Sequence, residues 1–365
     1  MKRKISLFKL TIIVATLLSC SPIFAQKDSL PVHKNKLSAF PVAYYSPETK
    51  LAVGALAAYT FYNKNDNTQK RPSQIQLGAA YTFNKQLLFY IPFRIYTRQS
   101  SFVFYGEAGY YKYSYYFYGI GNKQSDDYKE LYKVNYPRVK VNALKKISKS
   151  LYAGLRYGLE DYNIIGADSG KQLSTGIITG SKGGFVSGIG PAINFDTRDN
   201  IFSPSRGFFI DAGALFYGKA LGSNFNFNRY TLDGSVYFAA KNKNVWAFNL
   251  FADFVNGNAI PFSQLALLGG NKKMRGYYEG RYRDKNLLAL AAEYRLHVYK
   301  RFGAVVFGNA GAVNNETIKL TDYIRTTAGA GVRYALNKSE KLNIRLDYGI
   351  GKKTTGFYFT IGEAF

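Results

Sequence analysis

The sequence predicts an all-β fold, a transmembrane antiparallel β-barrel of about 16 strands, on three observations. Apolar residues recur with a period of two along nearly the whole chain, the pattern of strands with one apolar and one polar face. Tyr, Phe and Gly number 32, 28 and 35 in 365 residues, and aromatic residues on alternating strands anchor a barrel at both membrane interfaces. Beyond the N-terminal leader no stretch approaches the about 20 consecutive apolar residues of a spanning helix.

The leader comes first. Met1-Lys2-Arg3-Lys4, an apolar run from Leu10 to Leu18 and a small residue at Ala25 make residues 1–25 a signal peptide. The only cysteine, Cys20, lies inside it, and Leu17-Leu18-Ser19-Cys20 offers a second reading as a loose lipoprotein box. Apart from that reading, the mature chain has no thiol or disulfide. Removing the leader takes Lys2, Arg3, Lys4 and Lys9 from a net charge of +26, and 26 − 4 leaves +22. In an exported, aromatic-rich chain that surplus points to membrane lipids with anionic headgroups as partners, and away from nucleic acid. Residues 26–37 form a short periplasmic stub, and 38–365 form the barrel.

Period-two segments follow at 38–46, 49–62, 73–84, 86–98, 101–118, 131–147, 150–164, 183–197, 207–219, 223–241, 243–256, 285–300, 302–314, 322–337, 340–351 and 354–364. The clearest sets Leu342, Ile344, Leu346, Tyr348 and Ile350 against Asn343, Arg345, Asp347 and Gly349. With both ends of the barrel on the periplasmic rim, the long connections 119–130, 165–182 and 257–284 all fall on the outer rim, as barrel architecture requires. The polar faces mix Arg94, Arg138, Lys140, Arg156, Arg295, Arg333 and Arg345 with Glu160, Asp211, Asp233, Asp253, Glu293 and Asp347. The surplus of charge therefore lies in turns such as Lys145-Lys146, Lys241-Asn242-Lys243 and Lys300-Arg301. The last segment ends on Phe365, an aromatic terminus similar to the closing-strand signal of bacterial outer-membrane barrels.

Catalytic and metal chemistry is not indicated. His33 and His297 have no ligand-spaced neighbours. Lys182-Gly183-Gly184 has its lysine on the wrong side for a phosphate loop, and Ser187 lacks a nucleophile elbow. Glu160-Asp161 and Asp196-x-x-Asp199 are acidic pairs of the solvated or salt-bridged kind. The expectation is a protein that is not an enzyme and carries no metal or cofactor.

The connection from Val255 to Asp284 is too long to be filler. Its Gly269-Gly270 pair opens turn geometries closed to other residues, and Arg275-Gly276-Tyr277 sets a rigid donor fork beside a flexible point and a ring. This suits a segment folded into a cavity.

These residues resemble a family. Leu268-Gly269-Gly270 with Arg275-Gly276-Tyr277 is similar to the sixth-loop signature of the BamA/TamA superfamily of surface-antigen barrels. Asp196-Thr197-Arg198-Asp199-Asn200 with Ser203-Pro204-Ser205-Arg206-Gly207 is similar to its mid-barrel motif. The resemblance covers residues 38–365. It implies a loop arginine, Arg275, entering the lumen to pair with Glu293 on the twelfth barrel strand. The acid of the thirteenth-strand motif is replaced here by Asn309, in Phe307-Gly308-Asn309-Ala310-Gly311, leaving a neutral second acceptor. It further implies action in outer-membrane protein insertion, translocation or lipid handling, with outer-membrane or periplasmic protein partners. The stub is too short for a POTRA domain, so the expectation is a bare barrel, and a passive pore or structural anchor is the alternative.

Overall fold

The structure, a computed structural model, describes residues 35–63, 72–337 and 341–365. The leader with Cys20, and the stub through Lys34 with His33, lie outside the described residues. Asn35–Phe365 forms one compact unit.

Eighteen strands follow one another: β1 (Lys36–Ser46), β2 (Lys50–Phe61), β3 (Ser73–Thr82), β4 (Leu87–Tyr96), β5 (Phe102–Phe117), β6 (Glu130–Lys146), β7 (Leu151–Ala167), β8 (Gly184–Asp196), β9 (Gly207–Tyr217), β10 (Phe227–Ala239), β11 (Val245–Asn256), β12 (Ala266–Leu268), β13 (Tyr282–Asp284), β14 (Asn286–Tyr299), β15 (Phe302–Asn314), β16 (Arg325–Asn337), β17 (Leu342–Gly351) and β18 (Thr354–Ile361). Sixteen of them close into an antiparallel barrel, with β11 beside β14 and β18 beside β1. The remaining two, β12 and β13, form a separate ribbon inside the long connection, which the period-two reading passed over because each is only three residues long. Strand β1 starts two residues before the expected 38. Strand β16 starts three after the expected 322, because Thr317–Tyr323 winds into a 3-10 turn.

Alternation does what a barrel wall requires. On β17, Arg345 and Asp347 are 2% and 1% exposed, whereas Tyr348 and Ile350 are 48% and 54% exposed. Exposed Leu155, Ile189, Phe216, Phe248, Leu290 and Val332 continue the apolar face around the ring.

The aromatic residues divide differently from expectation. Beside an exposed set, a cluster is buried on the polar face of β5–β7: Tyr111 stacks on Tyr136 at 5.1 Å and Tyr136 on Tyr162 at 4.6 Å. Tyr115 and Tyr136 share a hydroxyl contact of 3.2 Å, and the Arg138 guanidinium lies 5.2 Å from the Tyr136 ring centre, so the polar tips and ring faces are partnered. Phe262 from the long connection meets Phe117 and Tyr132 edge-on. Strand β5 carries tyrosines on both faces, so its composition could not report which were buried.

Candidate functional site

The site grows from the connection between β11 and β14. Its glycines are conformational necessities: Gly269, Gly270 and Gly276 have φ of +118°, +86° and +111°, where a side chain is strained. A Cβ on Gly269 would fall 2.2 Å from the Tyr278 carbonyl oxygen, and one on Gly349 of β17 would fall 2.8 Å from the Arg275 carbonyl carbon. The backbone at Arg275-Gly276 thus lies directly against β17. It is stitched there by the Gly276 amide donating to the Tyr358 hydroxyl (3.0 Å), the Thr354 hydroxyl donating to the Gly276 carbonyl (2.9 Å), and the Lys352 amide donating to the Tyr277 hydroxyl (3.2 Å).

Arg275 is fully buried. Its Nη1 donates to Asp347 Oδ2 at 2.7 Å, its Nη2 stands 2.6 Å from Glu293 Oε1, and its guanidinium carbon lies 3.5 Å from the centre of the Phe307 ring. The Asp347 contact is an aligned hydrogen bond; the Glu293 contact is a charge pair whose N–H points off the oxygen. Glu293 was expected as partner on β14. Asn309 does not serve as the second acceptor: its amide donates instead to Thr327 Oγ1 at 2.8 Å, and the second partner is Asp347 on β17. Asp347 stood among the expected lumen acids without a role, because nothing in sequence spacing ties position 275 to a strand 72 residues away.

The acids do not serve Arg275 alone. Glu293 Oε2 accepts from Arg295 at 2.8 Å, Asp347 Oδ1 accepts from Arg333 at 2.6 Å, and Arg345 Nε lies 3.6 Å from Asp347. Beyond β18 the chain turns at Gly362 (φ +90°) toward this cluster. Glu363 there accepts from Arg333 Nε at 2.8 Å and from Asn343 at 2.7 Å. Phe365 is not part of a closing strand: β18 ends at Ile361, the Phe365 carbonyl accepts from Arg295 at 3.0 Å, and its ring faces Tyr237 at 6.5 Å. Phe357 to Phe365 keeps the alternation of a strand, and Gly362 is the residue that marks the break.

Four arginines (275, 295, 333, 345) face three acids (293, 347, 363), an excess of 4 − 3 = +1. Asn309→Asp, beside Phe307 on the same strand, brings the balance to zero, and the Thr327 hydroxyl can donate to the new carboxylate as readily as it accepts from the amide. The substitution is expected to leave the urea midpoint of the purified barrel unchanged or raise it. A clear fall in midpoint would refute the charge-balance argument.

Across the ring the polar face carries its own pairs: Arg138 on Glu160 (2.8 Å), Arg156 on Asp211, and Arg229 on Asp253 (2.9 Å). Arg229 escaped the sequence reading. Lys140 reaches Glu160 at 3.6 Å, yet its side chain is 53% exposed, so water reaches this face. The mid-barrel motif forms the turn 197–206. Asn200 Oδ1 accepts the amides of Phe202 and Ser203, while Asp199 accepts the amides of Ser205 and Arg206 and the Ser205 hydroxyl. Burial opposes charge on Asp199, but those donors and Lys341 hold its carboxyl down to about 2. The turn reaches β17 from nearly across the ring, with Lys341 3.3 Å from Asp199 and Asn343 3.5 Å from Ser203.

The ring has one weak joint. β1 and β2 pair continuously from Lys36↔Thr60 to Ser46↔Lys50, and β17 and β18 from Ile344↔Ile361 to Gly351↔Thr354. Strands β1 and β18 meet in a single register pair, Tyr45↔Phe359, supported by a Tyr45–Phe357 ring contact of 5.6 Å.

Among solved structures, BamA from Haemophilus ducreyi lacking POTRA domains 1-3 is similar over 90% of this chain and 70% of that one, at 13% identity and a TM-score of 0.59. CdiB from Acinetobacter baumannii is similar over 90% and 59%, at 13% identity and 0.57, and CdiB from Escherichia coli over 91% and 64%, at 8% identity and 0.60. The chain spans less than two thirds of either CdiB. These likenesses concern the fold. A search of curated protein sequences finds no match. The Omp85 superfamily domain matches residues 67–365, the greater part of the barrel, and the chain accordingly belongs to the Omp85 superfamily.

Proposed function

We propose that this chain is a bacterial outer-membrane barrel that inserts or translocates proteins through its lumen and its β1–β18 joint, working with outer-membrane or periplasmic protein partners. The connection between β11 and β14 reaches from Arg275, against β14 and β17, to Phe262 and Gln264, against β5–β7. Beside Glu160, the Lys140 side chain still stays wet. Catalytic residues are not needed, because a parted joint exposes two strand edges whose unpaired amides and carbonyls can template a client strand.

The observation that carries this reading is the joint itself. Every other neighbouring pair in the ring is laddered, so parting β1 from β18 breaks the fewest backbone hydrogen bonds. The basic turns facing the periplasm, among them Lys145-Lys146, Lys241 and Lys243, would meet lipid phosphates.

Tyr45→Cys with Phe359→Cys tests it, because the two positions are partners in the ladder. Reconstituted in liposomes, the reduced variant is expected to accelerate the folding of a client barrel, and the oxidised variant to lose most of that acceleration. Equal rates in both states would defeat the joint as the active element. The wet face around Lys140 favours a second reading, a passive pore, in which single-channel conductance is steady and indifferent to the cross-link.

A further inference from the structure

The exposed face of β5 and β6 changes character near one rim. From the rim where β5 starts, its exposed-face residues run Phe102, Phe104, Gly106, Ala108, Tyr110 and then Lys112, Ser114, Tyr116. On β6 the same face runs Ala143, Val141, Val139, Pro137 and then Asn135 and Lys133. The ladder puts Lys112 opposite Asn135 and Ser114 opposite Lys133, so the apolar band ends on both strands at one height. Lys112 and Lys133 stand diagonally across that boundary, within about 7–8 Å at their Cβ atoms.

The height is also where β3 and β4 stop. Leu87, the first residue of β4, pairs with Lys112, so Tyr113–Phe117 of β5 project past β4 and pair with β6 alone. The notch left beside them is partly filled: the Gln86 amide donates to the Ser114 carbonyl (2.9 Å), and the Tyr116 amide donates to the Tyr278 hydroxyl (3.2 Å). What remains is a cavity of about 240 Å³ lined by Glu48, Asn84, Lys85, Tyr116, Lys133 and Tyr278. Lys129 sits 4.0 Å over the Tyr116 ring, and the Tyr116 and Tyr278 rings meet edge-on at 5.8 Å.

Lys85, Lys112, Lys129 and Lys133 are all exposed here. The acids of this region are Asp161, on the same face of β7, Asp168, whose Oδ2 accepts the Leu131 amide at 2.8 Å, Glu48, whose Oε1 is already taken by the Glu279 amide at 2.8 Å, and Glu279 itself. The four exposed lysines therefore stand where an apolar wall gives way to polar groups. A ligand fitted to this place has acyl chains to lie along the band, phosphate for the lysines, and a hydroxylated ring for the aromatic, amide and carboxylate groups of the cavity.

Resting on the reading of the chain as an outer-membrane barrel, we propose that this notch between β4 and the projecting β5–β6 hairpin binds the phosphorylated sugar headgroup of an outer-leaflet glycolipid. Lys112 and Lys133 hold a phosphate at the edge of the band, with Lys85 and Lys129 flanking, and the sugar enters the cavity against Tyr116 and Tyr278.

Native mass spectrometry of the full chain in detergent tests this with diphosphoryl lipid A, dephosphorylated lipid A and phosphatidylglycerol as probes. The parent is expected to retain diphosphoryl lipid A about tenfold better than either of the other two. Lys112→Gln/Lys133→Gln, two exposed changes whose folding is checked by heat-modifiable migration, is expected to lose that preference. Lys241→Gln/Lys243→Gln, at a turn on the opposite rim, is expected to keep it. Equal retention of phosphorylated and dephosphorylated lipid A, equal retention of phosphatidylglycerol, or an undiminished preference in the Lys112/Lys133 variant would each overturn the site. None of these readouts depends on client insertion, so failure of the transport reading is scored separately.

Discussion

Replacing Asp347 with alanine is expected to weaken the barrel more than removing Arg275, although Arg275 is the residue the sequence makes conspicuous. Asp347 is shared by three guanidiniums: Arg275 at 2.7 Å, Arg333 at 2.6 Å and Arg345 at 3.6 Å. Its removal takes the cluster from 4 − 3 = +1 to 4 − 2 = +2 and strands buried cations, a loss on the order of 3–5 kcal/mol. Arg275→Ala goes the other way. The balance becomes 3 − 3 = 0, Asp347 keeps Arg333 and Arg345, and Glu293 keeps Arg295 at 2.8 Å, so the cost is nearer the about 1.5–3 kcal/mol of a charged hydrogen bond. Urea midpoints of the purified variants measure the order, and with slopes of roughly 1–3 kcal/mol per molar the Asp347→Ala shift is on the order of 1 M or more. Both variants are expected to open the 257–285 connection to protease. An Arg275→Ala midpoint as low as that of Asp347→Ala would show that the arginine, not the shared acid, carries the cluster.

The different legibility of these two residues has a physical origin. Alternation on Leu342–Ile350 reports faces, because each strand residue sees only the wall's two sides, and that was enough for the strand order and the sixteen-strand closure. The Gly269, Gly270 and Gly276 positions were legible because positive φ leaves a mark in composition. Partnership between the connection and the barrel strands leaves none. Which acid meets Arg275 depends on where the connection lies against the strands and on the stagger of β14, β15 and β17, so Asp347 could not be distinguished from Asp211 or Asp253 by sequence. Asn309 occupied the motif position of an acid but bonds Thr327. Glu363 was hidden in an alternating tail that Gly362 turns inward, and the buried tyrosines of β5–β7 were hidden by a strand that carries tyrosine on both faces.

The inward tail yields the second large effect. Glu363 is held by Arg333 (2.8 Å) and Asn343 (2.7 Å), with Arg295 at 4.0 Å, and its side chain is 3% exposed. It therefore clamps the end of β18, the strand that meets β1 in one register pair. The same arginines reach the anchor of the connection, Arg333 through Asp347 and Arg295 through Glu293, so the joint and the Arg275 contact rest on common charges. Glu363→Ala removes the clamp, leaves the tail tied by the Gly362 amide on the Asn343 carbonyl (2.8 Å) and by the Arg295 contact at Phe365, and unpairs part of two buried guanidiniums. The expected result is hydrogen exchange about tenfold or more faster in 354–361 and 36–46, a loss of at least about 1.4 kcal/mol in local opening free energy. Peptides from β6 and β7 serve as the unmoved reference. Glu363→Gln, which keeps an acceptor without the charge, is expected to fall between the variant and the parent. Unchanged exchange in both β1 and β18 would mean that the tail is a passive filler and that the joint is set by its own register alone.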